Sequence, residues 1–328
     1  MTQLMNAVVC EQFAPIDTLT VQQIATPVIK PDEVLIKIEA AGVNFPDGLL
    51  VQGLYQMKPP FPFIPGNEVA GVITELGSAV PHLKVGMRVI GLCILGGYAQ
   101  QVACKASHVM PLPDAVSFAQ GAALVTAHAT AHHGLKQRAA LQPKEVVLVT
   151  GAAGGTGVAA IQIAKKMGAI VIAACSSQDK IDFAISQGAD YGINYTTDKI
   201  KDQVNILTNN KGVDVVYECV GGDIFQQCSK VMAWNGRLLV VGFASGEIPS
   251  FPVNLALVKG YSVIGVFWGA FTQHEPKVFI QNMQELFTWL VQDDVSVQIQ
   301  QTFKLEEAVL ALNTLNQRQV KGKIIIVP

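Results

Sequence analysis

The sequence predicts a two-domain α/β protein: a small antiparallel β-barrel followed by a doubly wound parallel sheet. Three observations carry this. The first third of the 328 residues reads as short strands punctuated by glycine and proline. The middle alternates Val/Ile-rich strands with helical stretches, the pattern of a parallel sheet covered on both faces. At the first strand-to-helix junction of that middle part lies a glycine-rich turn, "TGAAGGTG", at residues 150–157. The length suffices for two domains of ordinary size.

The elements follow in order. "VLIKIEAAGV" (34–43), "EVAGVITELG" (68–77) and "VGMRVIGL" (85–92) predict strands of the barrel. Pro59, Pro60, Pro62 and Pro65 predict an extended loop between the first two, because proline fixes its own φ and restricts its predecessor. "EVVLVT" (145–150), "AIVIAAC" (169–175), "YGINY" (191–195), "VDVVYECV" (213–220), "GRLLVVGF" (236–243) and "YSVIGVF" (261–267) predict parallel strands. Helices are expected at 157–168, 178–188 and 197–208, the first two stopping on Gly168 and Gly188. Near the end, Leu305, Ala308, Val309, Leu312 and Leu315 share one helical face, and "KIIIVP" (323–328) predicts a final strand. The expected domains are 1–125 with 272–328, and 126–271. No linker separates them, so a tight cleft between them is expected.

Composition narrows the function classes. Half the chain is apolar and 15% is charged, which favours a globular protein over a disordered one. The net charge of −2, with no basic block, does not indicate a nucleic-acid partner. The start "MTQLMNAVVCEQF" has no positive region or long apolar run, so no secretory signal is expected. Six cysteines without C-x-x-C spacing read as reduced thiols, and a cytoplasmic location is expected.

Val146–Ala164 runs 19 residues without a charge, long enough to span a membrane. Its glycines at 151, 154, 155 and 157 argue otherwise, since each costs about 1 kcal/mol inside a helix relative to alanine. Lys165 and Lys166 then close the run. The reading is a buried strand joined to a buried helix, with no membrane span. The loop Ala153, Gly154, Gly155, Thr156, Gly157 is a phosphate cradle. Free N–H groups and the positive dipole end of a helix attract a pyrophosphate there. Gly154 and Gly155 leave room for its approach, and Gly157 lets helix and strand pack closely. The G-x-G-x-x-G fingerprint is imperfect, with Ala152 in place of a glycine. An acidic residue at the end of the next strand would favour NAD. Here Cys175 holds that position, followed by Ser176, Ser177 and then Lys180. Two hydroxyls and an ammonium suit a 2′-phosphate, so NADPH is the expected cofactor; Asp179 is the dissenting residue.

Together these segments resemble the zinc-independent quinone oxidoreductases of the medium-chain dehydrogenase/reductase superfamily, which include zeta-crystallin-like proteins. The likeness runs nearly end to end, through "AAGVNFPDGLLVQGLY" (40–55), "PFIPGNEVAGVI" (62–73), "GGYAQQV" (96–102), "TGAAGGTGVAAIQIAK" (150–165), "VGFASG" (241–246), "GVFWG" (265–269) and "KGKIIIVP" (321–328). It implies a GroES-like barrel as catalytic domain and a Rossmann cofactor domain. Zinc alcohol dehydrogenases of the superfamily carry a cysteine in the loop reading "GVNFPD" here, and G-H-E where this chain has Gly66-Asn67-Glu68. Amides are poor zinc ligands, so no metal is expected. His128 and His132 are one helical turn apart, but no further ligand motif accompanies them; they read as structural histidines.

Without a Lewis acid, the expected reaction is hydride donation from NADPH to an electron-poor acceptor, a quinone or an α,β-unsaturated carbonyl. The protein then supplies orientation and a dry site. The resemblance implies Asn44 and Asp47 near the nicotinamide, and Tyr55 in the substrate pocket as a possible hydrogen-bond donor. Asn44 also reads as a turn residue, and Asp47 as a loop-fixing carboxylate. It further implies Thr130 beside the carboxamide, Tyr195 by the adenine-side ribose phosphate, and Lys323 near a cofactor phosphate. Phe243 and Ser245, then Phe267 and Trp268, follow strands and so sit where doubly wound sheets bind ligands. For the last two, interface packing is the competing reading. Met87, Thr156, His128 and His132 depart from the family's usual residues. Two alternatives stay open: an enoyl or 2-alkenal reductase, with Tyr55 as proton donor, and an NADPH-binding structural or regulatory protein of crystallin type. Relatives usually pair through the sheet edge, here near "YSVIGVF", so a homodimer is expected.

Overall fold

A computed structural model describes residues 3–328. The chain divides into two compact units, one reaching Thr126 and resuming at Ile299, the other Ala127–Gln298. The first unit opens with strands β1 (Leu4–Val9), β2 (Thr20–Ala25) and β3 (Glu33–Val43). Helix α1 (Phe45–Val51) follows, then β4 (Glu68–Leu76), β5 (Arg88–Leu92), β6 (Gln101–Lys105) and β7 (Val109–Pro111). Helix α2 (Phe118–His133) passes from the first unit to the second. There β8 (Val146–Thr150), α3 (Gly155–Lys166), β9 (Ile170–Cys175), α4 (Gln178–Ser186), β10 (Tyr191–Asn194) and α5 (Ile200–Leu207) alternate. The alternation continues with β11 (Val213–Glu218), α6 (Gly222–Cys228), β12 (Met232–Val240), α7 (Asn254–Lys259) and β13 (Ser262–Gly265). Helices α8 (Trp268–His274) and α9 (Pro276–Val291) close the unit. The chain ends in the first unit with β14 (Ile299–Lys304), α10 (Ala308–Asn316) and β15 (Lys323–Val327).

The first unit is the antiparallel assembly the sequence predicts. Its main sheet runs β14-β15-β3-β4-β5-β7, with β6 paired to β3 and only β14–β15 parallel. Strand β3 is the hub. One edge carries β4, and the other is shared by β6 at Glu33–Lys37 and β15 at Ala41–Val43. The small β1–β2 sheet is tied on by bridges Ala7–Ala99 and Cys10–Phe63. Val34, Ile36, Val69, Val89 and Ile324, all fully buried, form the core.

The second unit is an all-parallel sheet ordered β10-β9-β8-β11-β12-β13. Counted from its own first strand this is 3-2-1-4-5-6, the doubly wound order whose ligand crevice opens where the order reverses, between β8 and β11. Both strands are buried on both faces, which is why they read as continuous apolar runs.

One expected boundary moves. The first division falls at 126/127, but the return to the first unit comes at 299 rather than 272. The intervening helices are bound into the second unit by their own contacts. Asn282 exchanges hydrogen bonds with Gln137 at 2.9 and 3.1 Å. Phe271 stacks on His133 at 3.8 Å, Ser296 bonds Gln162, and Phe279 and Met283 are buried.

Candidate active site

Two regions hold the predicted residues, one in each unit. In the first unit, β3 ends at Val43 and α1 begins at Phe45, with Asn44 as the N-cap. The backbone N–H of Asn44 donates to Asp47 Oδ2 at 2.8 Å, satisfying the helix start. Tyr98 donates its hydroxyl to the same oxygen at 2.6 Å. Asp47 thus ties the start of α1 to Tyr98. Burial raises its pKa to about 6, opposed by the Tyr98 and Asn44 hydrogen bonds and the Lys323 charge.

Sequence reasoning missed the centre of this cluster. Glu68, at the start of β4, is fully buried. Its Oε1 accepts from Asn44 Nδ2 at 2.7 Å and Lys323 Nζ at 2.8 Å, and its Oε2 from the Thr126 N–H at 2.6 Å. Gly42 makes the room: a Cβ there would lie 2.1 Å from Glu68 Oε1. The signal was present in "GNE" and in the lysine opening an otherwise apolar last strand.

Lys323 is a correction. The expected contact with a cofactor phosphate needs a free N–H. Its ammonium instead donates to Val43 O at 3.0 Å, Asn44 Oδ1 at 2.6 Å and Glu68 Oε1 at 2.8 Å, which uses all three donors. The residue is 5% exposed, an internal counterion to Glu68. The same accounting bears on zinc. The donors here are two amides and a carboxylate with both oxygens engaged, around an ammonium; they do not fit a zinc ion. Among the described residues no cluster of three or more His, Cys, Asp and Glu side chains is placed to hold a metal.

Tyr55 lies half-buried past α1, in the loop before the prolines. Burial, and then the Asp47 charge, raises its pKa, so the phenol keeps its proton at neutral pH.

In the second unit, β8 ends at Thr150 and α3 begins at Gly155 with Gly154 as N-cap. The N–H groups of the first turn therefore open at the carboxyl edge of the sheet, beside the crevice. A Cβ on Gly154 would approach only Gly151 O, at 3.3 Å, so the turn is open where a phosphate would approach. A Cβ on Gly157 would strike Gly151 O at 2.3 Å and Ala152 Cα at 2.7 Å. Ala153 is buried; Gly155 and Thr156 are half-buried in the turn.

At the end of β9 the three predicted phosphate residues come together. Ser177 caps α4, its Oγ accepting from Lys180 N at 3.4 Å, and Lys180 Nζ donates to Ser176 Oγ at 3.3 Å. Tyr195 follows β10, the neighbouring strand, and its N–H bonds Cys175 O at 3.0 Å. A dinucleotide thus fits this unit: an open turn at a helix N-terminus, and hydroxyls with an ammonium one strand away.

Across the crevice lies a second residue that sequence reasoning missed. Glu218 is fully buried at the end of β11. It accepts from Val220 N, Gly221 N and Thr150 Oγ1 at 2.8, 3.0 and 3.1 Å. Thr150 Oγ1 in turn accepts from Cys219 N at 2.9 Å. The loops after β8 and β11 are locked together. Burial raises the Glu218 pKa against those hydrogen bonds. An acid inside an apolar strand was the available signal. The segment of Phe243 and Ser245 docks on this loop through Ala244 N–Cys219 O and Ser245 N–Val220 O, at 3.0 and 2.7 Å.

The remaining predicted residues divide. Thr130 is half-buried on α2. Phe267 is 64% exposed, whereas Trp268 is buried edge-on against Phe279 at 5.8 Å, as a core residue of α8 and α9. His128, His132 and His133 are buried in α2. His132 Nε2 pairs with Glu285 at 2.9 Å, and burial lowers its pKa to about 4.

Comparison with known proteins gives a consistent set of likenesses. The family described as "Zinc-binding dehydrogenase" matches residues 155–286, and "Alcohol dehydrogenase GroES-like domain" matches residues 30–114. Quinone oxidoreductase-like protein 2 homolog of Nematostella vectensis is 37% identical over 98% of this chain and 88% of that protein. Quinone oxidoreductase of Mus musculus is 34% identical over 86% of each. The quinone oxidoreductase structure from Pseudomonas syringae superposes with a TM-score of 0.94 at 29% identity, covering 99% of this chain and all of that one. The Escherichia coli quinone oxidoreductase, solved in complex with NADPH, gives 0.91 at 26% identity over 99% of both.

Proposed function

The chain belongs to the zinc-independent quinone oxidoreductase family of the medium-chain dehydrogenases/reductases, and from that premise we propose that it transfers hydride from NADPH to a quinone or similarly conjugated carbonyl. The observation that carries the reading is the carboxyl edge of the parallel sheet, where the open Gly154–Gly157 turn precedes Ser176, Ser177 and Lys180 on the next strand and helix. The backbone N–H groups of α3 bind a pyrophosphate, and Lys180 with the two serines binds a 2′-phosphate. Bound NADPH supplies the hydride. The chain's own residues hold it, orient the acceptor and exclude water.

Tyr55 is the hydrogen-bond donor assigned to the acceptor carbonyl. Asp47 Oδ2 is occupied by Asn44 N and Tyr98, and the Asn44 amide protons are engaged by Glu68 and Asn67. A raised pKa keeps the Tyr55 phenol protonated. This also supports the second reading, an enal or enoyl reductase, which must deliver a proton to carbon after hydride transfer. The test is a panel of quinones, enals, enones and enoyl thioesters, each with NADPH and NADH, on wild type and Tyr55→Phe. The quinone reading expects NADPH-dependent quinone turnover that falls about tenfold or less in the variant, one hydrogen bond's worth. Enal turnover that vanishes in Tyr55→Phe while quinone turnover persists favours the second reading. NADPH binding with no turnover of any acceptor defeats both.

The proposed partner is a second copy of the chain. Strand β13 is an edge of the parallel sheet, and Trp234, Leu257 and Val258, from the adjoining β12 and α7, are 73–82% exposed. An apolar edge of this kind needs cover. Sedimentation of wild type against Trp234→Glu tests it: a dimer is expected to become a monomer.

A further inference from the structure

Within the second unit, β8 is tied to its two neighbours in different ways. Toward β9, backbone pairing runs to the end of the strand. Thr150 pairs with Ala174, and Ala152 N still reaches Ala174 O at 3.4 Å. Toward β11, pairing stops one residue sooner, at Val149 and Tyr217. The next residue on each strand is Thr150 and Glu218, and there side chains take over from the ladder. Thr150 Oγ1 donates to Glu218 Oε1 at 3.1 Å and accepts from Cys219 N at 2.9 Å. Tyr217 O, at 3.5 Å, is its more distant acceptor.

Glu218 carries the connection onward. Its Oε1 also accepts from Val220 N and Gly221 N at 2.8 and 3.0 Å, and its Oε2 from Gly221 N at 3.1 Å. The same loop holds the segment after β12. Ala244 N bonds Cys219 O, Ser245 N bonds Val220 O, and Gly222 N bonds Glu247 O, at 3.0, 2.7 and 3.1 Å. Packing follows the bonds. A Cβ on Gly221 would lie 2.6 Å from Glu247 O, and one on Gly151 would lie 3.5 Å from Val220 Cγ2. Residues 219–222 and 243–247 are thus bound to one another, and joined to the end of β8 through Thr150 and Glu218.

We propose that Glu218, acting through Thr150, is a positioning residue that sets the β11 loop and the 243–247 segment at the spacing from the glycine turn that NADPH needs to cross the crevice. It does so without touching the cofactor, because its side chain is fully buried. A doubly wound sheet takes a dinucleotide across the point where its strand order reverses, with one mononucleotide half on each side. The adenine half lies on the β8–β9 side, against the glycine turn, Ser176, Ser177 and Lys180, where backbone pairing fixes the spacing. The nicotinamide half passes over the β11 loop, where the side-chain link fixes it. This rests on the function proposed above and goes beyond it, by dividing the grip on NADPH into a half that needs the link and a half that does not.

Two variants and two probes test it. Thr150→Val keeps the side-chain shape and removes the hydroxyl, which breaks the link and leaves Cys219 N without that acceptor. Thr150→Ser keeps the hydroxyl. The probes are NADPH and adenosine 2′,5′-bisphosphate, which carries only the adenine half with its two phosphates. Each Kd is measured at a temperature where all three proteins are fully folded. Tm is expected to fall by roughly 2–6 °C in Thr150→Val. NADPH Kd is expected to rise roughly tenfold in that variant, the equivalent of one lost hydrogen bond, while the bisphosphate Kd stays at the wild-type value. Thr150→Ser is expected to restore both Tm and NADPH Kd. An unchanged NADPH Kd in Thr150→Val overturns the proposal. So does an equal loss of both probes, which places the defect in the glycine turn, or a failure of Thr150→Ser to rescue binding. If the wild type binds neither probe, the proposed function itself fails, and this inference falls with it; if the wild type binds both and the variants do not differ from it, only the inference fails.

Discussion

The second unit meets its ligand region with backbone, and the first unit builds its polar centre from side chains. At the head of α3 the groups proposed to face a phosphate are N–H groups, and the sequence contributes mainly by leaving Cβ atoms out. In the first unit Asn44, Asp47, Glu68, Tyr98 and Lys323 are all buried and satisfy one another across nearly the whole length of the chain. The difference teaches how each region fails. A backbone site breaks when an atom is added; a side-chain network breaks when a charge is removed or its protonation changes.

The largest expected effect tests the first half of that contrast. In Gly157→Val the new side chain starts 2.3 Å from Gly151 O and 2.7 Å from Ala152 Cα, both backbone, so α3 must move off β8. Urea unfolding is expected to show a loss of about 3 kcal/mol, the upper end for overpacking, with loss of NADPH binding. Gly154→Ala meets only Gly151 O at 3.3 Å. It is expected to fold within about 1 kcal/mol of wild type while its NADPH Kd rises at least tenfold, roughly 1.4 kcal/mol. Wild-type binding by Gly154→Ala would refute the backbone cradle.

The next effect tests the side-chain network through pH. Burial raises the Asp47 pKa from 3.8 to about 6 in the folded protein. Between those values the folded state holds a proton that the unfolded state has lost, so this group's contribution to stability falls as pH rises through the window. Above pH 6 the penalty is fully present; below 3.8 it is absent. That difference corresponds to about 3 kcal/mol. Asp47→Asn has no such titration. The wild type is therefore expected to gain up to about 3 kcal/mol relative to Asp47→Asn between pH 7 and pH 4, measured by urea unfolding at each pH. A pH-independent difference would mean that Asp47 is not held in this way.

This contrast also explains what the sequence let one read. The parallel strands, α3, α4 and the glycine turn are local. Their periodicity, their stop glycines and the 150–157 turn lie within short windows, and the structure returns them nearly residue for residue. Ser176, Ser177 and Lys180 could be read as one group for the same reason, being four residues apart at most. The 44–68–98–323 cluster is not local. Asn44 and Asp47 were recognisable as residues, but the direction in which Lys323 spends its charge depends on β15 lying beside β3, a pairing across 280 residues. Glu68 and Glu218 were passed over because a lone acid in an apolar strand shows only that a partner must exist, not which one. The return point at 299 was missed because α9 carries an ordinary amphipathic pattern that fits either unit; contacts such as Gln137–Asn282 decide it.

The smallest expected effects lie where the second unit does use side chains. Ser177 serves two purposes: it caps α4 through the Lys180 N–H, and it is proposed to face the 2′-phosphate. At 3.4 Å that cap is long, so Ser177→Ala is expected to cost only about 0.5–1 kcal/mol of stability. Glycine at the cap loses only a few tenths, so Ser177→Gly separates the capping role from the phosphate role. Lys180→Met leaves the cap geometry intact, because the bond to Ser177 uses the backbone N–H. It is expected to weaken NADPH about tenfold and leave NADH unchanged, since one charge-assisted contact is removed and NADH has no group to pair with it. If Ser177→Gly binds NADPH as tightly as wild type while Lys180→Met does not, the ammonium alone reads the 2′-phosphate and the serine is only a cap. If all three variants lose NADH as well as NADPH, the defect lies in the backbone turn, and the side chains of this unit add nothing to the choice of cofactor.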